Sequence, residues 1–428
     1  MTHSSAATSN PASLPEPAQD PVPQQTPQQT PQRVPSYGAA GTALGAFGMA
    51  AVVGLFALLL NFVAKGSPVA GPSFEDWLSQ ANDSPLSGLQ WFLGDMTEPL
   101  LYKSDLAALG LLAGAAVAWC VGRSRKCLRA TKWVGQLSYG TGLWPWVLTS
   151  ASLSLLLSNL AFGWMLDDGW QPTFVPFVCA APAMVFLYGA GWRSCVTGAV
   201  LGAITVTPLA LLFIPTVATP LGLPPVVGCV LAMAVGSAAA FAAARRLPWL
   251  VLRKPDPPAE GRHPASGFTR TVRKDAKVAA RRVLKDFTET HFFANELASV
   301  GVILGVSVAF VLSPGLPSYG SALLPHILFA QALTSAAGVV LWRRWYRDEG
   351  WAASYASVVS VAPAAVLASG GSWTGIVGGA VLGAALAPPI ARAISARLPA
   401  GFHPVIGNTA AMALSTAIVL PVLGLLGR

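Results

Sequence analysis

Charge is what this sequence has least of. Only 11% of its 428 residues are Asp, Glu, Lys or Arg, while 53% are hydrophobic; a soluble domain carries about 25% charged residues. A soluble globular class is therefore excluded, and lipid is the solvent for most of the chain. Cysteine is scarce as well: the five (Cys120, Cys127, Cys179, Cys195 and Cys229) form no CxxC and no Cys/His pair at ligand spacing, which argues against a disulfide framework and a zinc site. No GxSxG, HExxH or Walker loop occurs, so the chain is expected to use no cofactor and not to pump with ATP by itself. Strand-like alternation is missing too, and with it the pattern of a β-barrel.

Long apolar runs are what the sequence does have. They fall at 42–64, 105–121, 144–166, 172–188, 195–214, 225–244, 295–312, 321–341, 352–368, 373–391 and 404–426, and each can cross a hydrocarbon layer of about 30 Å as a helix. The expected fold is an all-α polytopic membrane protein of about eleven transmembrane helices. The formal charge of +9 is spread along the chain as topology demands, not gathered as a nucleic-acid footprint. With the N-terminus inside, internal segments hold Arg33, Arg123, Arg125, Lys126, Arg129, Lys132, Arg193, the cluster from Arg245 to Lys285, Arg343, Arg344, Arg347, Arg392 and Arg397. External segments keep Lys65, Lys103 and Arg428. That asymmetry predicts a cell inner membrane protein with N-terminus cytoplasmic and C-terminus external. The first apolar run follows a long polar stretch, so it reads as a retained helix rather than a cleaved signal.

Residues 1–36, rich in Pro, Gln, Ser and Thr, are expected to be a disordered cytoplasmic tail. An extra transmembrane helix follows in 37–64, then an external loop, 65–94, whose Trp77, Leu78, Leu86, Leu89, Trp91 and Phe92 suit an interfacial helix. A basic linker, 245–285, ends in a second interfacial helix facing an anionic inner leaflet.

The remaining segments, 95–244 and 286–428, resemble each other block by block. Asp95-Met96-Thr97-Glu98 with Asp105, Gly110 and Gly114 returns as Asp286-Phe287-Thr288-Glu289 with Glu296, Gly301 and Gly305. Ser138-Tyr139-Gly140 with Pro145 returns as Ser318-Tyr319-Gly320 with Pro325, and Gly169-Trp170 as Gly350-Trp351. Pro182, Trp192, Gly198 and Gly202 answer to Pro363, Trp373, Gly379 and Gly383; Pro225, Gly228 and Met233 answer to Pro404, Gly407 and Met412. Each unit holds five expected spans, an odd number, so two repeats of inverted topology follow.

Asp95-x-x-Glu98 and Asp286-x-x-Glu289 have capping-box spacing, which favours reading them as helix starts. On a continuous helix Glu98 and Asp105 would share a face, as would Glu289 and Glu296. All four are candidates for handling a coupling ion or proton, with Glu296 and Asp105 foremost because an intramembrane carboxylate is costly to keep without a function. Substrate-path candidates are the polar His326, Gln331, Asn408 and Asn159 and the helix-interrupting Pro208 and Pro388, each weighed against interhelical hydrogen bonding or simple kinking. The paired GxxxG glycines read as packing.

The general plan is similar to that of inverted five-plus-five secondary transporters, which implies alternating access around a central site for a small solute. Two other readings are open: a membrane-embedded enzyme using boundary carboxylates on a lipid-linked substrate, and a non-catalytic scaffold recruiting through the tail and basic loop. Partners are expected to be the bilayer, a small solute and no nucleic acid; a homo-oligomer is compatible with all three.

Overall fold

The computed structural model describes residues 38–123, 137–253 and 272–426. The polar tail, the middle of the basic linker and much of the loop after Arg123 lie outside the described residues. Within them the chain is helical and contains no strand.

Helix α1 (Ala39–Gly66) is followed by two short helices, α2 (Phe74–Ser79) and α3 (Pro85–Thr97). The first set of matched segments supplies α4 (Asp105–Arg123), α5 (Trp144–Phe162), α6 (Ala180–Tyr188), α7 (Trp192–Phe213) and α8 (Pro225–Ala244). After α9 (Val272–Glu289), the second supplies α10 (Glu296–Leu312), α11 (Leu324–Leu341), the short α12 (Arg343–Asp348) and α13 (Tyr355–Val358), α14 (Val361–Ala368), α15 (Gly379–Ser395) and α16 (Val405–Leu426). Eight helical stretches are long and apolar enough to cross a membrane; three shorter apolar ones, Val175–Tyr188, Glu296–Leu312 and Tyr355–Ala368, fall on the other expected spans. Large apolar side chains such as Leu55, Phe62, Leu160, Ile204, Leu304 and Leu425 are exposed, whereas serines, threonines and charged groups are buried. A surface of that kind belongs in lipid. The features together support a multi-pass helical membrane protein.

Two expected spans are not single helices. In 172–188 a 3₁₀ turn, Val175–Val178, meets α6 at Cys179 (φ −137°, ψ −98°). In 352–368, α13 meets α14 at Ser360 (φ −134°, ψ −83°). The cause is three residues downstream in both cases: the rings of Pro182 and Pro363 would strike the carbonyls of Val178 and Val359 in a continuous helix. Pro208 and Pro388 behave differently, lying inside the unbroken α7 and α15. The segment 65–94, expected to hold one interfacial helix, is likewise two helices, α2 and α3, and α9 does not lie free: it packs on α1 and α11, with Asp275 accepting from the Gly38 amide at 2.8 Å.

The most extensive helix contact joins α4 to α10. A Cβ on Gly110 would collide with the Gly301 carbonyl oxygen and one on Gly301 with that of Gly110; Gly114 meets Leu297, and Gly305 meets Leu106. Position rises on one helix as it falls on the other, so the two run antiparallel, and each contact has its mirror at matched positions. Other polar contacts repeat in the same way. Ser154 of α5 donates to the Ala199 carbonyl at 2.9 Å, and Thr334 of α11 to that of Ala380 at 2.8 Å. Such bonds, with close glycine crossings, take over the holding role that the hydrophobic effect has in water.

Leucine at Gly110 or Gly301 is expected to cost about 2–3 kcal/mol through overpacking, whereas Gly48→Leu, where nothing lies within 4 Å of a new Cβ, is expected to be silent. Thermal unfolding in detergent, followed by size-exclusion chromatography, measures both.

Candidate functional site

The two Asp-x-x-Glu motifs do not start helices. Asp95 and Thr97 close α3 and Asp286 to Glu289 close α9, where the helix dipole disfavours a carboxylate. Glu98 and Asp105 therefore do not share a continuous face, nor do Glu289 and Glu296. Between them the chain turns through left-handed residues, Leu101 (φ 61°) and Lys103 (φ 46°) in one half, Phe292 (φ 62°) and Ala294 (φ 43°) in the other. A hydroxyl pins each turn: Thr97 accepts from the Ser104 amide at 3.1 Å and donates to its carbonyl, and Thr288 does the same with Asn295 at 3.1 Å. Non-glycine residues hold such a conformation only where surrounding contacts over-determine it.

The turns build two buried charge clusters. In the first, the Lys103 ammonium is paired with Asp95 and lies 2.7 Å from Glu98 Oε2, and it sits 3.6 Å from the centre of the Trp91 ring. Asp95 also accepts from Asn159 (2.9 Å) and Thr173 (2.7 Å); Glu98 Oε1 accepts from Trp170 Nε1 (2.5 Å) and the Tyr319 hydroxyl (3.1 Å). In the second, Arg282 is paired with Glu289 and lies 2.7 Å from Asp286. Asp286 accepts from Ser335 and Ser354, both at 2.6 Å, and Glu289 Oε1 from Trp351 Nε1 at 2.5 Å. Each cluster sets two carboxylates against one cation. Neither could be buried without that cation, because isolated ions in low dielectric cost several kcal/mol each.

A cavity of about 480 Å³ opens beside the first cluster. Glu98 is the one Asp, Glu, Lys, Arg or His among its lining residues, and Phe74, Trp170, Phe174 and Tyr319 supply aromatic walls. It is also lined by both members of three matched pairs: Val178 and Val359, Val230 and Thr409, Met233 and Met412. Beside the second cluster the corresponding space is filled. There Phe186 and Phe292, stacked at 5.6 Å, each also meet the Tyr139 and His403 rings.

Of the other residues singled out from sequence, Asp105 opens α4 and accepts from the Leu106 amide at 2.7 Å. Glu296 opens α10, nearly buried, with Arg281 Nε at 2.6 Å and Lys285 at 3.9 Å. Gln331 ties the halves together, accepting from the Tyr102 hydroxyl at 2.8 Å and donating to the Leu100 and Val358 carbonyls. Asn408 donates to the Tyr355 hydroxyl at 2.9 Å, Asn159 belongs to the first cluster, and His326 is half-buried near Gly371. None of Asp105, Glu296, His326, Gln331, Asn408, Asn159, Pro208 and Pro388 lines the cavity; Glu98 does. Lys103, Trp170, Tyr319, Arg282 and Trp351 were not singled out as site residues. Trp170, Trp351 and Tyr319 did carry a signal, since each belongs to a block that occurs twice. Among the described residues no group of His, Cys, Asp and Glu is arranged to hold a metal ion. No protein-family model and no curated protein matches the chain.

Lys103→Met, which leaves Asp95 and Glu98 buried without their cation, is expected to destabilise by about 3–5 kcal/mol. Adding Asp95→Asn to it is expected to recover part of that loss, as denaturation of both variants in detergent would register.

Proposed function

We propose that this protein is a secondary transporter of a small solute, built from two inverted five-helix repeats after an extra N-terminal helix and working by alternating access. The observation that carries the reading is the relation between the cavity and the aromatic cluster. Tyr139, Phe186, Phe292 and His403, which pack together beside the second charge cluster, match Tyr319, Leu367, Leu101 and Pro224 in the other half. All four of those line the cavity. One set of matched positions is a closed gate while the other forms the walls of an open vestibule. The three matched pairs that both contribute to the cavity lining support a site between the halves, where it must lie if exchanging the two arrangements is to expose it to either side.

Antiparallel α4 and α10, crossing at matched glycines, support inversion, as does the odd number of spans per unit. With the N-terminus cytoplasmic, the Glu98 vestibule faces outside and the gate around Phe292 faces the cytoplasm. The exposed Arg273, Lys274 and Lys277 of α9 then meet the anionic inner leaflet. The geometry favours Glu98 and Glu289, rather than Asp105 and Glu296, as the carboxylates that take up a coupling proton or cation. Each belongs to an over-acidic buried cluster, one beside the vestibule and the other beside the aromatic gate. Asp105 and Glu296 stand at helix N-termini, where the dipole stabilises a carboxylate, Glu296 with Arg281 and Lys285 beside it, and neither lines the cavity.

Gradient-driven solute flux in proteoliposomes is expected for the wild type and lost in both Glu98→Gln and Glu289→Gln. On a background in which all five native cysteines are replaced by alanine, a cysteine at Leu367 is expected to react with a water-soluble thiol reagent at least about tenfold faster than one at Phe186, and an imposed gradient should reverse the order. Equal reactivity under every condition would exclude alternating access.

A further inference from the structure

The vestibule's chemistry names the class of solute. Its lining combines one carboxylate with aromatic rings: Phe74 lies edge-on to Tyr319 at 5.6 Å, Tyr319 edge-on to Trp170 at 6.2 Å, and Phe174 joins them in the cavity wall. No Lys, Arg or His lines it, so the lining offers an anion no positive side chain. Aromatic faces around a negative charge are the arrangement that binds organic cations, the rings attracting the cation through their quadrupoles. The protein already uses this chemistry internally, since Lys103 is held by Asp95 and Glu98 on one side and the Trp91 ring on the other. That single cation leaves the cluster one formal negative charge in excess. The rest of the wall, including Pro99, Val226, Val230, Met233 and Leu367, is apolar and demands an apolar body.

We propose that the vestibule binds a small lipophilic cation, an organic ammonium or similar ion, and that this cation and a proton compete for the charge at Glu98. The inference rests on the transporter reading for its physiological meaning but not for its test. The charged and titratable groups facing Glu98 are Lys103 from the turn before α4, Asp95 from α3, Tyr319 from the segment before α11 and Cys229 from α8. Glu98 and Asp95 are the acceptors for the exchanged proton. When the cation enters, one proton leaves the pair; when it departs, a proton returns, and the buried charge is conserved throughout. Mutually exclusive occupation of one acidic site is sufficient to couple a cation flux to an opposing proton flux.

Equilibrium binding of tetraphenylphosphonium and of tetraphenylborate to the purified full chain in detergent separates the possibilities, because the two ions match in size and differ in sign and neither titrates. The cation is expected to bind at least about tenfold more tightly than the anion and to weaken by about tenfold from pH 8 to pH 5, with Glu98→Gln abolishing both the tight binding and its pH dependence. Equal affinity for the two ions, pH-independent binding, or unchanged binding by Glu98→Gln would each overturn the proposal. Should Glu98→Gln fail to fold, the sign preference and pH dependence of the wild type still decide it. Failure here leaves gradient-driven flux of neutral or anionic solutes to be measured separately, whereas cation binding without flux of any solute would overturn the transporter reading alone.

Discussion

Two carboxylates and one cation, buried together at the end of a helix, are the arrangement on which the interior of this protein depends. An apolar environment makes an unpaired ion prohibitively costly, and here the helix dipole adds to that cost. The surrounding structure answers both demands. Left-handed turns at Leu101 and Lys103 and at Phe292 and Ala294 curl the chain around the carboxylates, tryptophans from distant loops donate to Glu98 and Glu289, and hydroxyls complete Asp95 and Asp286. The glycine crossing of α4 and α10 brings the helices that follow these turns into backbone contact, so the charge clusters and the central helix pair form one connected unit.

The two clusters reach the same charge balance with different parts. Lys103 and Trp91 in the first occupy positions that match Ala294 and Arg282 in the second: the cation has moved from the turn to the position that Trp91 holds in the other half. Lys103 reaches back from the turn and lies under Trp91; Arg282 rises from the preceding helical turn into the same relation with both acids. What is kept is the electrostatics and not the residue at a given position. That is the expected outcome when burial of charge, rather than a particular side chain, is the constraint.

Difference between the halves is as informative as likeness. Bulky rings at Phe186, Phe292 and His403 stand where the other half has Leu367, Leu101 and Pro224, so one side packs shut while the other leaves room. A packed aromatic cluster has a small number of discrete arrangements rather than a continuum, which is what a gate between two states requires.

Much of this was legible in the chain before folding. Apolar runs marked the membrane helices, and the paired motifs marked Glu98 and Glu289, because length and hydrophobicity are properties of consecutive residues and a duplicated block can be aligned by eye. Proline marked Pro182 and Pro363 as interruptions, though not that the helices would break at Cys179 and Ser360 instead of merely bending. Capping-box spacing misdirected the reading of Asp95 and Asp286, since the same four-residue spacing fits either end of a helix and only the preceding turns decide which. The tryptophans 72 positions from Glu98 and 62 from Glu289 in sequence and the division of matched positions between aromatic cluster and cavity arise from contacts between distant segments. Local pattern determined where this protein meets lipid; long-range packing alone decided where its cavity lies, because a cavity is defined by what several helices jointly fail to fill.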